Sequence, residues 1–104
     1  MKKIINGIRF DTEKSTRVGS YEYANSRDFN WVHETLYITP RSKKFFLAGE
    51  GGANTKYRTV VGQNSWTGGD AIFPMSAEQA LEWAENYLDA DVIEKHFGDM
   101  IEDA

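Results

Sequence analysis

Cysteine is absent from this 104-residue chain, which removes disulfides, thiolate zinc sites and any thiol nucleophile, and fits a reducing compartment. Long apolar runs are missing too. No stretch approaches the roughly 20 residues of a membrane span, and the apolar run after Lys2-Lys3 is far too short for a signal peptide. No internal repeat, linker or low-complexity segment interrupts the chain. Histidine is confined to His33 and His96. Base is nearly lacking from the C-terminal end. Residues 76–104 carry only Lys95 against nine carboxylates, a net of −8, while residues 1–75 carry eleven bases against seven acids, a net of +4. The overall charge of −4 therefore conceals one basic and one strongly acidic part, a field suited to binding a charged macromolecule.

Large rings are what the chain has in quantity: six Phe, five Tyr and three Trp supply much apolar area for a short sequence. At 40% hydrophobic, residues 1–104 fit one domain with one core, burying roughly 60 to 70% of the surface exposed when unfolded.

Asn6-Gly7 between the apolar runs 4–5 and 8–10 predicts a hairpin with a type I′ turn, since both central positions need positive φ. Residues 11–14 read as a turn or as one helical turn capped by Asp11, after which residues 17–23 can continue the sheet. The clearest strand pair is 31–39 with 43–48, joined through Pro40-Arg41-Ser42. In the first, Val32, Leu36 and Ile38 share one face and Trp31, Thr35 and Tyr37 the other, so one side meets the core and the other presents rings at the surface. Gly49-Glu50-Gly51-Gly52 stops the second strand. Residues 57–61 form a further short strand, 63–70 a Gly-rich loop containing Trp66, and Ile72-Phe73 a last strand.

Ser76 with Gln79 has capping-box spacing. In the helix it opens, Ala77, Ala80, Leu81, Ala84 and Leu88 share a core face flanked by Trp83 and Tyr87, with Glu78, Glu82 and Glu85 opposite. Asp91 with Glu94 caps a second, shorter helix ended by Gly98. Strands first and helices last predict an α+β fold: an antiparallel sheet of about four to five strands with two C-terminal helices packed on one face.

No catalytic or metal-binding set emerges. His33 lacks a partner at ligand spacing, because on a strand His33 and Glu34 point to opposite faces; His96 stands near a helix end, where a cation is simply favourable. Residues 49–56 lack the Gly-Lys-Ser/Thr and following helix of a phosphate loop, so their glycines read first as a turn and second as a contact loop in which Glu50, Lys56, Tyr57 and Arg58 meet a partner. Paired acids for glycoside hydrolysis need one in an apolar pocket, whereas most here lie on a solvent-facing helix side. Asp89 and Asp91 lack the further ligands and central Gly of a calcium loop. Glu78, Glu82, Glu85 and Asp89 then read either as an ordinary solvated face or as a phosphate mimic competing for Lys and Arg sites. The bases of residues 1–75, interleaved with Phe10, Tyr21, Tyr23, Tyr37, Phe45 and Tyr57, give a secondary reading of direct nucleic-acid binding by stacking on a sheet.

Several stretches occur together: residues 2–7 (KKIING), 10–13 (FDTE), 34–37 (ETLY), 45–52 (FFLAGEGG), 64–69 (NSWTGG), 74–78 (PMSAE), and Ala90-Asp91 leading to Phe97-Gly98. This combination resembles small proteins carried by integrative elements, plasmids and phages of Gram-positive bacteria, a group with anti-CRISPR inhibitors among its members. For want of a nucleophile and base pair the chain reads as not an enzyme and without a cofactor, and the resemblance implies the cytoplasm of a bacterial host cell. It implies a partner, a CRISPR-Cas effector or its guide RNA complex, blocked stoichiometrically from target DNA. A nucleic-acid-binding accessory or regulatory protein of the same elements is the alternative. The expected contacts are Glu78, Glu82, Glu85 and Asp89 on the helix, with Glu50, Lys56, Tyr57 and Arg58 on the loop.

Overall fold

Asn6 and Gly7 carry φ of 51° and 76°, as a type I′ turn requires, and join β1 (Lys2–Ile5) to β2 (Ile8–Asp11) as an antiparallel hairpin. The computed structural model describes residues 1–104. After β2, Asp11 caps a single 3-10 turn (Thr12–Lys14) by accepting from the Glu13 amide at 3.0 Å. Then follow β3 (Thr16–Tyr23), β4 (Val32–Ile38), β5 (Phe45–Gly51), the small hairpin β6 (Thr59–Gly62) with β7 (Ser65–Thr67), and β8 (Gly69–Met75). Helices α1 (Ala77–Tyr87) and α2 (Ala90–Phe97) come last, so the fold is α+β. The main sheet is antiparallel, four-stranded and ordered β3-β4-β5-β8.

Both faces of this sheet are covered. Leu36, Phe45 and Leu47 face the helices and pack with Val18, Ala80, Trp83, Ala84 and Phe97. Phe46, Ala48 and Ile72 face the other way and pack under Phe10 of the N-terminal hairpin. Rings are therefore not presented at the surface there: Phe46 is fully buried, 5.3 Å from Phe10 edge-on and stacked on Tyr37 at 5.2 Å. The reason lies in adjacent Phe45 and Phe46, which alternation sends to opposite faces, so that each face needs a cover.

The capping box at α1 forms as read from sequence. Ser76 Oγ accepts from the Gln79 amide at 3.1 Å, and Gln79 Oε1 accepts from the Ser76 amide at 2.9 Å. At α2 the cap is Asp89, without a side-chain hydrogen bond, and not Asp91. Leu88 fixes the reversal earlier by lodging against Gly19, where a Cβ would lie 2.6 Å from Leu88 Cδ2; a register shift between Arg17 and Gly19 accompanies this contact. Tyr21 stacks on Tyr87 at 3.9 Å, and Phe45 on Phe97 at 5.0 Å, completing the helix side.

The glycines of residues 49–52 do not end β5 and none has positive φ. The strand runs through Gly51, paired with Gly69, so β8 also begins earlier than its apolar residues indicate. Trp66 lies on β7 opposite Val60, in an exposed hairpin, instead of in a loop.

Candidate functional site

Every one of the nine carboxylates in residues 76–104 is exposed, and none takes part in an ion pair. On α1, Glu78, Glu82 and Glu85 recur at intervals of four and three residues, and Asp89 follows at the helix turn, so they share the side away from Ala80 and Ala84. Asp91 and Glu94 of α2 extend the same charge. This arrangement carries a stability cost. Like charges at such spacings repel by about 0.2–0.5 kcal/mol per pair, and the last turn of α1 has no base to meet its partial negative end.

A different carboxylate was not singled out by the sequence reading. Glu34 lies on β4 between Val32 and Leu36, points to the helix-covered face and is only 4% exposed. Three donors converge on it. Tyr57 Oη donates to Oε2 at 2.6 Å, Trp83 Nε1 donates to Oε1 at 3.1 Å, and Lys56 Nζ lies 2.7 Å from Oε2. Lys56 itself is half exposed, and its ammonium stands 5.5 Å from the Tyr57 and Phe73 ring centres. No buried side-chain nitrogen or oxygen is left unpartnered. The cluster is a closed, satisfied network that fastens the loop after β5 and helix α1 to the sheet.

Gly49 makes room for it. A Cβ there would lie 2.2 Å from Tyr57 Oη, and one on Gly51 would meet Thr55 Oγ1 at 2.5 Å, so these glycines form a bed for the tyrosine and its loop. Tyr57 is buried and cannot offer its ring to a partner, which removes it from the expected contact set. Lys56 is engaged with Glu34, and the Arg58 guanidinium lies over the exposed Trp66 ring at 5.2 Å. Glu50 projects from the opposite face, level with His33 and Asp70, so the structure does not bring it together with the α1 acids or with Lys56. Next to the Glu34 cluster, a groove of about 480 Å³ runs between β8 and α1, walled by Phe73, Met75, Trp83 and Tyr87 with Glu82 on its rim.

Burial alone raises the pKa of Glu34, but the hydrogen bonds from Lys56, Tyr57 and Trp83 and the charge of Lys56 outweigh it and hold the carboxyl below its ordinary 4.5. Burial and the facing carboxylate push the Tyr57 phenol well above its ordinary 10.0. The signs follow from linkage. Glu34 contributes stability above pH 4.5 that is lost as pH falls through its lowered value, while Tyr57 contributes stability below pH 10 that is lost only as pH rises beyond it. Urea midpoints measured below pH 4.5 should therefore fall more steeply with acid in the natural chain than in Glu34→Gln; equal slopes would contradict the network.

His33 Nε2 lies 3.6 Å from Glu22 Oε1, across the sheet face from Glu34. His96 occupies the last turn of α2, but burial first, and then Lys95, depress its pKa, so the proton favoured by the helix end is opposed there. No group of three or more His, Asp or Glu side chains is arranged to hold a metal ion, and no helix is long and apolar enough to cross a membrane. Of the rings interleaved with bases, Phe10, Phe45 and Tyr57 are buried and Tyr21 and Tyr37 are stacked on other rings; Tyr23, at the end of β3, is exposed, so the sheet offers one free ring and not a row for bases to stack on. No family model, curated protein or solved structure matches the chain.

Proposed function

We propose that this protein is an inhibitor that occupies a nucleic-acid-binding groove of another protein, and that its target is a CRISPR-Cas effector nuclease or its guide complex. One observation carries the reading: the nine carboxylates of residues 76–104 are all exposed and none is neutralised by an ion pair. Glu78, Glu82 and Glu85 place three charges along about 10 Å of α1 at 1.5 Å per residue, one per about 4–6 Å, and Asp89 follows in the turn after it. A single strand of duplex DNA carries one per about 3.4 Å of axis. A groove lined with Lys and Arg for phosphates meets a similar line of negative charge on a rigid rod. The repulsion along α1 stabilises nothing in the fold, and conflicts between local preference and fold tend to mark functional surfaces. The resemblance to mobile-element proteins supplies the identity of the target; the charge supplies the mechanism.

Mixing the purified chain with Cas effectors, with and without guide, and following target cleavage tests this. Inhibition at a small molar excess is expected, weakening as salt rises. The variant Glu78→Gln/Glu82→Gln/Glu85→Gln/Asp89→Asn should inhibit at least about tenfold less well while melting no earlier, since like-charge repulsion is relieved. Undiminished cleavage with every effector at large excess, or full inhibition by the variant, would refute the proposal.

A further inference from the structure

Residues 2–17 and 39–44 hold eight of the twelve Lys and Arg side chains against two acids. These stretches fold together, because the β1–β2 hairpin, the 3-10 turn and the β4–β5 connection meet at one end of the sheet. Arg9 from β2, Lys14 from the 3-10 turn and Arg41 from the β4–β5 connection line one cleft of about 180 Å³, with the hydroxyls of Ser15, Thr39 and Ser42 between them. None of the three bases has an ion-pair partner; the molecule's ion pairs are His33–Glu22 and Lys56–Glu34. Asp11 also lines the cleft, with Oδ1 taken up by the Glu13 amide. Thr39 Oγ1 and Ser42 Oγ lie 3.2 Å apart, and Thr39 Oγ1 accepts from the Lys44 amide, which sets the turn that carries Arg41.

Three cations gathered from three elements against the single carboxylate of Asp11 leave the cleft net positive and open to a further anion. We infer that this cleft binds phosphate groups of a nucleic-acid strand. Guanidinium forks, an ammonium and hydroxyls are the groups that hold phosphate oxygens without reading base identity. The strand form is favoured over free phosphate because further bases flank residues of the cleft, Lys2 paired with Asp11 across the hairpin and Lys43 and Lys44 directly after Ser42, and can meet neighbouring phosphates. The site lies away from α1 and needs no free aromatic ring. It stands independently of the acidic face: the helices cover one side of the sheet, while the hairpin bearing Lys2, Lys3 and Arg9 covers the other.

Titration of the full chain with a short, mixed-sequence single-stranded oligonucleotide over a range of salt concentrations tests this. Binding is expected at low salt, with log K falling linearly against log salt by about 0.7 per phosphate neutralised. In Arg9→Gln/Lys14→Gln/Arg41→Gln the slope should shrink by about 2, and affinity at low salt should drop at least about tenfold. Arg41→Gln alone, in an exposed turn, should shrink it by about 0.7 and guards against misfolding of the triple variant. The α1 glutamine variant should bind the strand no more weakly than the natural chain, which separates this site from the inhibitor reading. Absence of binding at low salt overturns the inference, as does an unchanged slope in both variants. Binding of inorganic phosphate without the oligonucleotide, or of heparin as tightly as the oligonucleotide, overturns the strand assignment.

Discussion

Replacing Glu34 by Ala should lower the free energy of unfolding by about 2–5 kcal/mol, because two buried donors each lose their acceptor at about 1–3 kcal/mol apiece, while the half-exposed Lys56 ammonium can turn to water. The loss has a definite origin. Tyr57 Oη and Trp83 Nε1 are left in the interior without an acceptor, and the Lys56 ammonium loses the charge that holds it over two rings. For a domain of this size that is a large share of a stability of about 5–15 kcal/mol. Urea unfolding by fluorescence suits the measurement, because Trp83 is itself part of the network. Glu34→Gln should cost less, since an amide oxygen still accepts from one of the two neutral donors. A loss under about 1 kcal/mol for Glu34→Ala would mean that water satisfies these donors and that the network is not a fastening.

Gly49→Ala should cost about 2–4 kcal/mol, combining overpacking with a weakened phenol–carboxylate hydrogen bond. The added methyl would lie 2.2 Å from Tyr57 Oη, 2.6 Å from its Cζ and 3.0 Å from the His33 carbonyl oxygen. Tyr57 cannot step aside without leaving Glu34, and β4 cannot withdraw without breaking its ladder to β5. In a Tyr57→Ala background the same substitution should cost much less, giving a coupling of about 1–3 kcal/mol between two residues eight positions apart. Additive losses would show that the strand, and not the tyrosine, resists the methyl.

Much of the fold could be read from local chemistry. Asn6-Gly7, the Asp11 turn and the Ser76 to Gln79 box are signals completed within four residues, and each forms. Helical period likewise places Glu78, Glu82 and Glu85 on the exposed side of α1. What escaped depends on distant partners. Glu34 stands at an inward position in the alternation of β4, a visible anomaly, but its acceptor role needs Tyr57 and Trp83, which lie 23 and 49 residues further on. Glycines at 49 and 51 look the same in sequence whether they bend a chain or lie flat beneath a ring. Once β5 extends through Gly51, alternation alone sends Glu50 away from the loop it was grouped with.

The cover of the sheet by acidic helices on one face and a lysine-bearing hairpin on the other gives the molecule a permanent dipole moment. Approaching a polyelectrolyte, such a body experiences a torque before contact, so its collisions are oriented instead of random. That orientation acts over about 10 Å at 0.1 M salt and about 30 Å at 0.01 M. In dilute buffer the same torque turns one copy's helices toward another copy's hairpin, and loose head-to-tail strings that dissolve on adding salt are the natural consequence.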